Sequence, residues 1–115
     1  MNDNEKRKKA KRTADTAATA ALNKILEDVL DVTGVTAKEI LSRSRGYEST
    51  SLARFFAYTM MREHDNGFSL QQIGDVMGRD HGSVINGIKA LKSRLSWEKK
   101  LKARAQLLRE KGYTV

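Results

Sequence analysis

A chain of 115 residues has room for one small domain with a modest core, and this one contains no cysteine and no proline. The lack of cysteine excludes disulfides and thiolate metal sites, which suits a reducing cytoplasm. No apolar run is long enough to cross a membrane, and the first 15 residues are polar and charged, so neither a membrane span nor a signal peptide is expected.

The net charge of +8 is unevenly distributed along the chain. Residues 1–12 hold six basic and two acidic groups, and residues 92–115 hold eight basic and two acidic groups. The stretch between them, residues 13–91, holds eight basic and ten acidic groups and is slightly negative. Attraction to a polyanion must therefore come largely from the two ends of the chain.

The N-terminal end is predicted to be a disordered basic arm at residues 1–15, ahead of a helical domain at 16–111 and a short tail at 112–115. The segment KRKKAKR at 6–12 is basic at six of seven positions and has nothing to bury. Two roles fit this composition equally well, a solubility tail or an arm that binds nucleic acid.

The first helix is predicted to begin near Thr16 and to end at Gly34. Its acidic residues Glu27, Asp28 and Asp31 are expected to face water. After an alanine-rich start, apolar residues recur at helical spacing and predict one buried face, formed by Leu22, Ile25, Leu26, Val29 and Leu30.

A short second helix is predicted to follow. Thr36 and Glu39 have the spacing of a capping box, in which each residue satisfies a backbone N–H of the other. Ile40 and Leu41 are expected to anchor this helix to the core.

The segment SRSRGYES at 42–49 is predicted to be a polar loop that carries Arg43 and Arg45. Arginines on such a loop suit contact with phosphate or with a minor groove. They also occur as plain surface charges, and the residues alone leave both interpretations open.

The longest central helix is predicted at residues 50–64, and Asn66 with Gly67 is expected to end it. Arg54 and Arg62 are expected to point away from the core, as candidates for contact with a nucleic-acid backbone. The inner face is predicted to hold Leu52, Phe55, Phe56, Thr59 and Met60.

Two helices joined by a short glycine-containing turn are predicted at residues 68–91. Ser69 and Gln72 form a second capping box, Gly78 supplies a left-handed exit from the first helix, and Asp80 can cap the second. The first helix buries Leu70, Ile73 and Val76 or Met77, and the second has a narrow apolar stripe at Val84, Ile88, Leu91 and Leu95. This is the helix-turn-helix arrangement.

The outward positions of the second helix are short or flat polar residues, His81, Gly82, Ser83 and Asn86, followed by Lys89. A helix of this kind can enter a major groove and offer hydrogen bonds to base edges from its first turn. A solvated face on an ordinary helical hairpin is the alternative interpretation. Of the two glycines, Gly82 is expected to allow close approach to DNA, and Gly87 to allow close packing on a neighbouring helix.

Residues 96–111 are predicted to form a last amphipathic helix that Gly112 ends. Its inward residues are expected to be Trp97, Leu101, Ala105 and Leu108. Its exposed residues are expected to be Lys99, Lys100, Lys102 and Arg104.

The stretch IGDVMGRDHGSVINGIKAL resembles the signature helix-turn-helix of the C-terminal DNA-binding domain of DnaA, the bacterial replication initiator. The resemblance covers about residues 20–111 and implies a free-standing helical domain that reads duplex DNA with its second signature helix. It implies that Arg45 reaches toward the minor groove. It also implies that the major-groove contact is lined by Arg79, Asp80, His81, Gly82 and Ser83.

One departure from the family concerns Gly82, where the family often has threonine. The threonine methyl group can contact a thymine, so its loss puts recognition of the initiator's own site in doubt. Arg43, Arg54 and Ser69 complete the predicted contacts, on the minor-groove and backbone side.

Together these patterns predict an all-α chain, a small helical bundle of the Trp-repressor-like or DnaA C-terminal-domain type. Its expected function is sequence-specific binding of double-stranded DNA in transcription or replication control, in the cytoplasm and associated with the nucleoid. A protein-interaction module that docks a partner through its basic last helix is the alternative. No enzyme, metal or cofactor is expected, because no cleft-forming set of acidic, histidine or serine residues is evident.

Overall fold

Helices make up the regular secondary structure of the computed structural model, which describes residues 3–42, 47–65 and 67–115, with side chains from residue 16 onward. In this described part they are, in chain order, α1 (Asp3–Thr33), α2 (Ala37–Leu41), α3 (Glu48–Arg62), α4 (Leu70–Met77), α5 (His81–Leu95) and α6 (Lys99–Glu110). The predicted all-α class with a helix-turn-helix, here α4 and α5, is confirmed.

The first helix is longer than its sequence pattern predicts, since α1 begins at Asp3 and not near Thr16. Its buried face starts at Ala18 and continues through Val29, and it includes every residue of the predicted stripe except Leu30. The division of the chain into an arm and a domain at residue 15 stays a prediction.

The helices pack around α3, which contacts α1 on one side and α5 on the other. The short helix α4 contacts α5 and α1, and α6 packs against α1 and α5. This arrangement holds the helix-turn-helix against the rest of the bundle, with α5 packed on α3, α4 and α6. Among the most deeply buried side chains are Val29, Phe56, Met61, Ile73, Val84 and Leu108.

Two predicted core residues are exposed instead. Leu30 lies at the edge of the buried stripe of α1 and is 43% exposed. Leu41 is the last residue of the five-residue α2, whose other apolar residue Ile40 takes the buried position. Both errors arise because helical periodicity predicts a face but not its width.

Trp97 is a larger correction, because it was expected to pack inward and is 65% exposed. It lies in the turn between α5 and α6, ahead of the buried stripe of α6 that begins at Leu101. The guanidinium of Arg94 lies 6.0 Å from the centroid of the Trp97 ring. Arg94 in turn pairs with Glu48 at 2.5 Å and with Glu98 at 2.7 Å.

Asp28 was expected to face water, but its side chain is only 13% exposed. It accepts a hydrogen bond from the Tyr113 hydroxyl, and Lys24 lies 3.4 Å away. Burial, followed by this bond, raises the pKa of Tyr113 above its ordinary value. The neighbouring Asp31 does face solvent, and it pairs with Lys111 at 2.7 Å. These contacts attach the C-terminal segment to α1.

Candidate nucleic-acid interface

The helix-turn-helix is built by local caps at both of its helices. Ser69 accepts a hydrogen bond from the backbone N–H of Gln72 at 3.1 Å, and its own N–H donates to the Gln72 side chain at 2.9 Å. Gly78 adopts a φ of 68°, the left-handed conformation that lets α4 end sharply. Asp80 caps α5 by accepting from the N–H of Ser83 at 2.7 Å. All of these predicted features are confirmed.

The turn also depends on Gly74, a residue for which the sequence pattern predicts no role. The Arg79 N–H donates to the carbonyl of Gly74 at 2.8 Å. A Cβ added at Gly74 would lie 2.4 Å from the Arg79 carbonyl oxygen, so α4 and the turn approach too closely for any side chain. The available signal was a glycine inside an eight-residue helix, where it costs about 1 kcal/mol relative to alanine.

The outward face of α5 is accessible in its first three turns. His81, Ser83, Asn86 and Lys89 are all exposed, as predicted. A Cβ added at Gly82 would meet only the Asp80 carboxylate within 4 Å, at 3.4 Å, so the helix surface is open there. This face contains no acidic residue and offers donors and acceptors of the kind that contact base edges.

Asp80 is an acidic group directly ahead of this face, and the first turn of α5 stabilises its charged form. The backbone N–H and then the hydroxyl of Ser83 hold the pKa of Asp80 below its ordinary value. The carboxylate therefore stays ionised while it satisfies the N-terminal N–H groups of the helix.

The inward face of α5 is fixed by Gly87. A Cβ at this position would lie 2.7 Å from ring carbons of both Phe55 and Tyr58 on α3, so the predicted close packing is confirmed. Val84 and Leu91 on either side of it are buried. The direction of the outward face is therefore set by contacts on the opposite side of the helix.

Two arginines of the predicted interface point inward. Arg54 is only 7% exposed, and the expectation that it points away from the core is wrong. Arg79 is half-buried, with its guanidinium bonded to the carbonyl of Ser42, and it borders the same groove as Tyr58. Burial and the nearby Arg79 lower the pKa of Arg54.

These side chains border a groove of about 430 Å³ between α3 and α5. Its walls combine Arg54 and Arg79 with the polar residues Ser51, Ser83 and Asn86. Polar groups of the first turns of both helices thus open onto one concave surface. Ser69 is exposed beside the N-terminal end of α5, where it shares a shallower concavity with His81.

Arg43 and Arg45 lie outside the described residues, so their predicted contacts stay predictions. The positive charge of the C-terminal region is accessible, since Lys92 on α5 and Lys99, Lys100 and Lys102 on α6 are exposed. Arg104 is half-buried.

Within the described part of the chain, no helix is both long and apolar enough to span a membrane. No group of three or more histidine, cysteine, aspartate or glutamate side chains there is arranged to hold a metal ion.

Comparison with known proteins agrees with this geometry. The family profile described as bacterial DnaA protein helix-turn-helix matches residues 22–91. The chromosomal replication initiator protein DnaA of Thermotoga petrophila is 34% identical over 83 residues, which are 71% of this chain and 18% of that protein. The same protein of Pseudothermotoga lettingae is 35% identical over 68 residues, which are 59% of this chain and 15% of that protein.

The chain thus spans less than a fifth of the length of these curated relatives. No solved structure matches it at a comparable level of significance.

Proposed function

Because this chain belongs to the family of bacterial DnaA helix-turn-helix domains, we propose that it binds double-stranded DNA sequence-specifically through α5. The observation that carries the proposal is the exposed polar face in the first half of α5, which has no acidic side chain. The opposite side of the helix packs closely against α3 at Gly87. A rigid helix with short polar groups on its outer face suits insertion into a major groove.

In this proposal His81, Ser83 and Asn86 contact base edges. The flat amide of Asn86 suits the paired donor and acceptor of adenine, and His81 and Ser83 each offer one hydrogen-bonding edge. Gly82 brings the backbone of α5 close to the bases. Since a glycine has no methyl group to contact thymine, the preferred site is expected to differ from sites that a threonine reads.

Contacts to phosphate supply most of the affinity. Lys89 lies further along the outward face of α5 and Ser69 lies beside His81, and both are exposed. Arg43 and Arg45 are assigned to the backbone and minor-groove side, on the strength of the sequence and the family resemblance. The basic residues at 6–12 and in α6 add attraction that does not depend on sequence.

Control of replication or transcription is the biological role that fits such a domain, with the cytoplasmic nucleoid as its place of action. The relatives are named for chromosomal replication initiation, which makes replication the first role to test.

The direct test is selection of preferred duplexes from a random pool, followed by fluorescence-anisotropy titration on a selected duplex and a random one. Enrichment of one sequence, with binding at least 100-fold tighter than to the random duplex, is the expected result. A pool that stays random after several rounds would contradict sequence-specific binding. No binding to any duplex at low salt would contradict DNA binding altogether.

The alternative function, docking of a protein partner through basic α6, is favoured by one observation. Trp97 is 65% exposed at the start of this region and lies beside Arg94, and exposed tryptophan and arginine are enriched at protein interfaces. Replacing Trp97 by Ala should leave DNA affinity unchanged in either case. A large loss of DNA affinity would instead assign the indole to the DNA interface.

A further inference from the structure

Two arginines from different elements meet at one backbone carbonyl. Arg54 on α3 donates from Nη2 to the carbonyl oxygen of Ser42 at 3.3 Å. Arg79, in the turn before α5, donates from its own Nη2 to the same oxygen. Ser42 is the C-cap of α2, so this one atom joins α2, α3 and the turn of the helix-turn-helix.

Arg54 makes further contacts with the end of α2. Its Nε donates to the carbonyl of Ile40 at 2.8 Å, and its Nη2 lies 3.4 Å from the carbonyl of Glu39. The last carbonyls of a helix have no partner within the helix. The carbonyl of Glu39 is also capped by the N–H and the hydroxyl of Ser42, so the main bond that Arg54 adds is the one to Ile40. Keeping this cation buried beside Arg79 carries an electrostatic cost, which the shared bonds must offset.

Arg79 is held by its backbone as well as by its side chain. Its N–H bonds to Gly74, and its carbonyl packs directly on that glycine. The next residue, Asp80, caps α5. The position of Arg79 therefore sets where the first turn of α5 begins relative to α2, α3 and α4.

We propose that Arg79 and Arg54 are positioning residues, which fix the first turn of α5 relative to the end of α2 and contact neither bases nor phosphates. This inference rests on the proposed DNA binding. It removes two arginines from the predicted contact surface and gives them a role in the alignment of the remaining contacts.

Replacing either arginine is therefore expected to reduce the preference for one DNA sequence without reducing the general electrostatic attraction between the protein and DNA. Hydrogen bonds to base edges weaken steeply when distance or angle departs from the ideal, so a small shift of α5 reduces discrimination. Attraction between lysines and phosphates changes little over the same shift, because it decays over about 10 Å at 0.1 M salt.

The test uses the full chain with Arg79→Ala or Arg79→Lys, measured on the selected and random duplexes over a range of salt concentrations. Both variants are expected to lose tenfold or more of the preference for the selected duplex. The slope of log K against log salt on the random duplex should match the unaltered protein. Lysine does not rescue the preference, because it keeps the charge but lacks the planar guanidinium whose Nη2 donates to the Ser42 carbonyl.

Arg109→Ala is the matched control. Arg109 is exposed and donates from Nε and Nη2 to the main-chain oxygen of Val115 at 3.0 and 2.6 Å, so it too is an arginine bonded to backbone. Neither of these bonds involves α2 or the turn before α5, and the replacement of Arg109 should leave the preference unchanged.

A further variant tests whether the two arginines act together. Arg54→Lys is preferred to alanine, because it leaves no large cavity at this buried site. If both arginines act through Ser42, combining Arg54→Lys with Arg79→Lys should reduce the preference by less than the product of the single effects. Fully multiplicative effects would overturn the shared role.

Two other outcomes would overturn the proposal. A salt slope that falls by about 0.9 on both duplexes in Arg79→Ala, and recovers in Arg79→Lys, would make Arg79 a phosphate contact. A lower melting temperature with an unchanged preference would make it a purely structural residue. If the unaltered protein shows no preference at all, the proposed function fails first, and this inference fails with it.

Discussion

The first turn of α5 and the helix α6 both present polar side chains to solvent, but they differ in charge and in how they are held. The turn carries His81 and Ser83, and it is capped by Asp80 and located by contacts around Gly74. The exposed residues of α6 include Lys99, Lys100 and Lys102, whose side chains are long and flexible. Base discrimination needs fixed geometry, whereas attraction to phosphate needs only charge within reach. In the proposed complex with DNA, these two requirements would be met by different parts of the molecule.

The largest expected effect comes from removing the charge of α6, with Lys99, Lys100 and Lys102 changed together to Gln. If each contacts one phosphate, the salt slope of log K should fall by about 2.7, and affinity at 0.1 M salt by roughly two orders of magnitude. Anisotropy titrations should show the same loss on selected and random duplexes. An unchanged salt slope would mean that these lysines of α6 do not contact DNA, and it would favour the docking of a protein partner by α6.

The second prediction moves the first turn of α5 by Gly74→Ala. Since the new Cβ would lie 2.4 Å from a backbone oxygen, the turn must shift, and a loss of about 2–3 kcal/mol in the free energy of unfolding is expected. Urea denaturation measures it. Gly82→Ala is the control, because its Cβ has space and alanine favours helix, so stability should be equal or higher. Equal losses in both variants would contradict the close approach at Gly74.

The third prediction tests whether the exposed residues at the start of α5 distinguish one DNA sequence from another. His81→Ala or Ser83→Ala should each cost about 1–3 kcal/mol of binding free energy on the selected duplex and little on a random one. Both side chains are exposed and neither belongs to the buried stripe, so His81→Ala should leave the melting temperature the same. Ser83→Ala should lower it slightly, because the bond from the Ser83 hydroxyl to the capping Asp80 is lost. Equal losses of affinity on the two duplexes would indicate that His81 and Ser83 contact phosphates and not base edges.

The smallest expected effect is a pH dependence of stability from Asp80. Its folded-state pKa is lowered by the bonds from Ser83, so the ionised cap stabilises the fold above the unfolded pKa, near 3.8. That contribution is lost as the pH falls through the lower folded-state value. Melting curves of the unaltered protein and Asp80→Asn should diverge above about pH 4 and approach each other in more acidic solution. Curves that stay parallel down to pH 2 would mean that the charge of Asp80 adds nothing to its role as a cap.

Much of the outward face of α5, with the caps and the turn that support it, could be predicted from the sequence. These features depend on residues that lie only a few positions apart along the chain. The caps at Ser69 and Asp80, the exit at Gly78 and the exposed positions His81 and Ser83 are all where the pattern puts them. Caps act over three residues and helical periodicity over four, so neither needs knowledge of the rest of the fold.

The errors concern residues whose environment depends on distant neighbours. Trp97 was placed in the core by the period of α6, but the turn after α5 turns its ring outward. Arg54 was placed on the surface because arginine usually lies there, but the end of α2 offers it carbonyl oxygens.

The sequence by itself determined the helical class, the helix-turn-helix and the polar face of α5, since local hydrogen bonds and apolar spacing are sufficient for these. Only the tertiary structure decided that Arg54 and Arg79 share the carbonyl of Ser42, which lies 12 and 37 residues away from them along the chain. A long arginine side chain can reach solvent or a buried carbonyl from the same backbone position. Whether the arginine reaches solvent or a carbonyl depends on which helix end packs beside the side chain, and that packing depends on the whole fold.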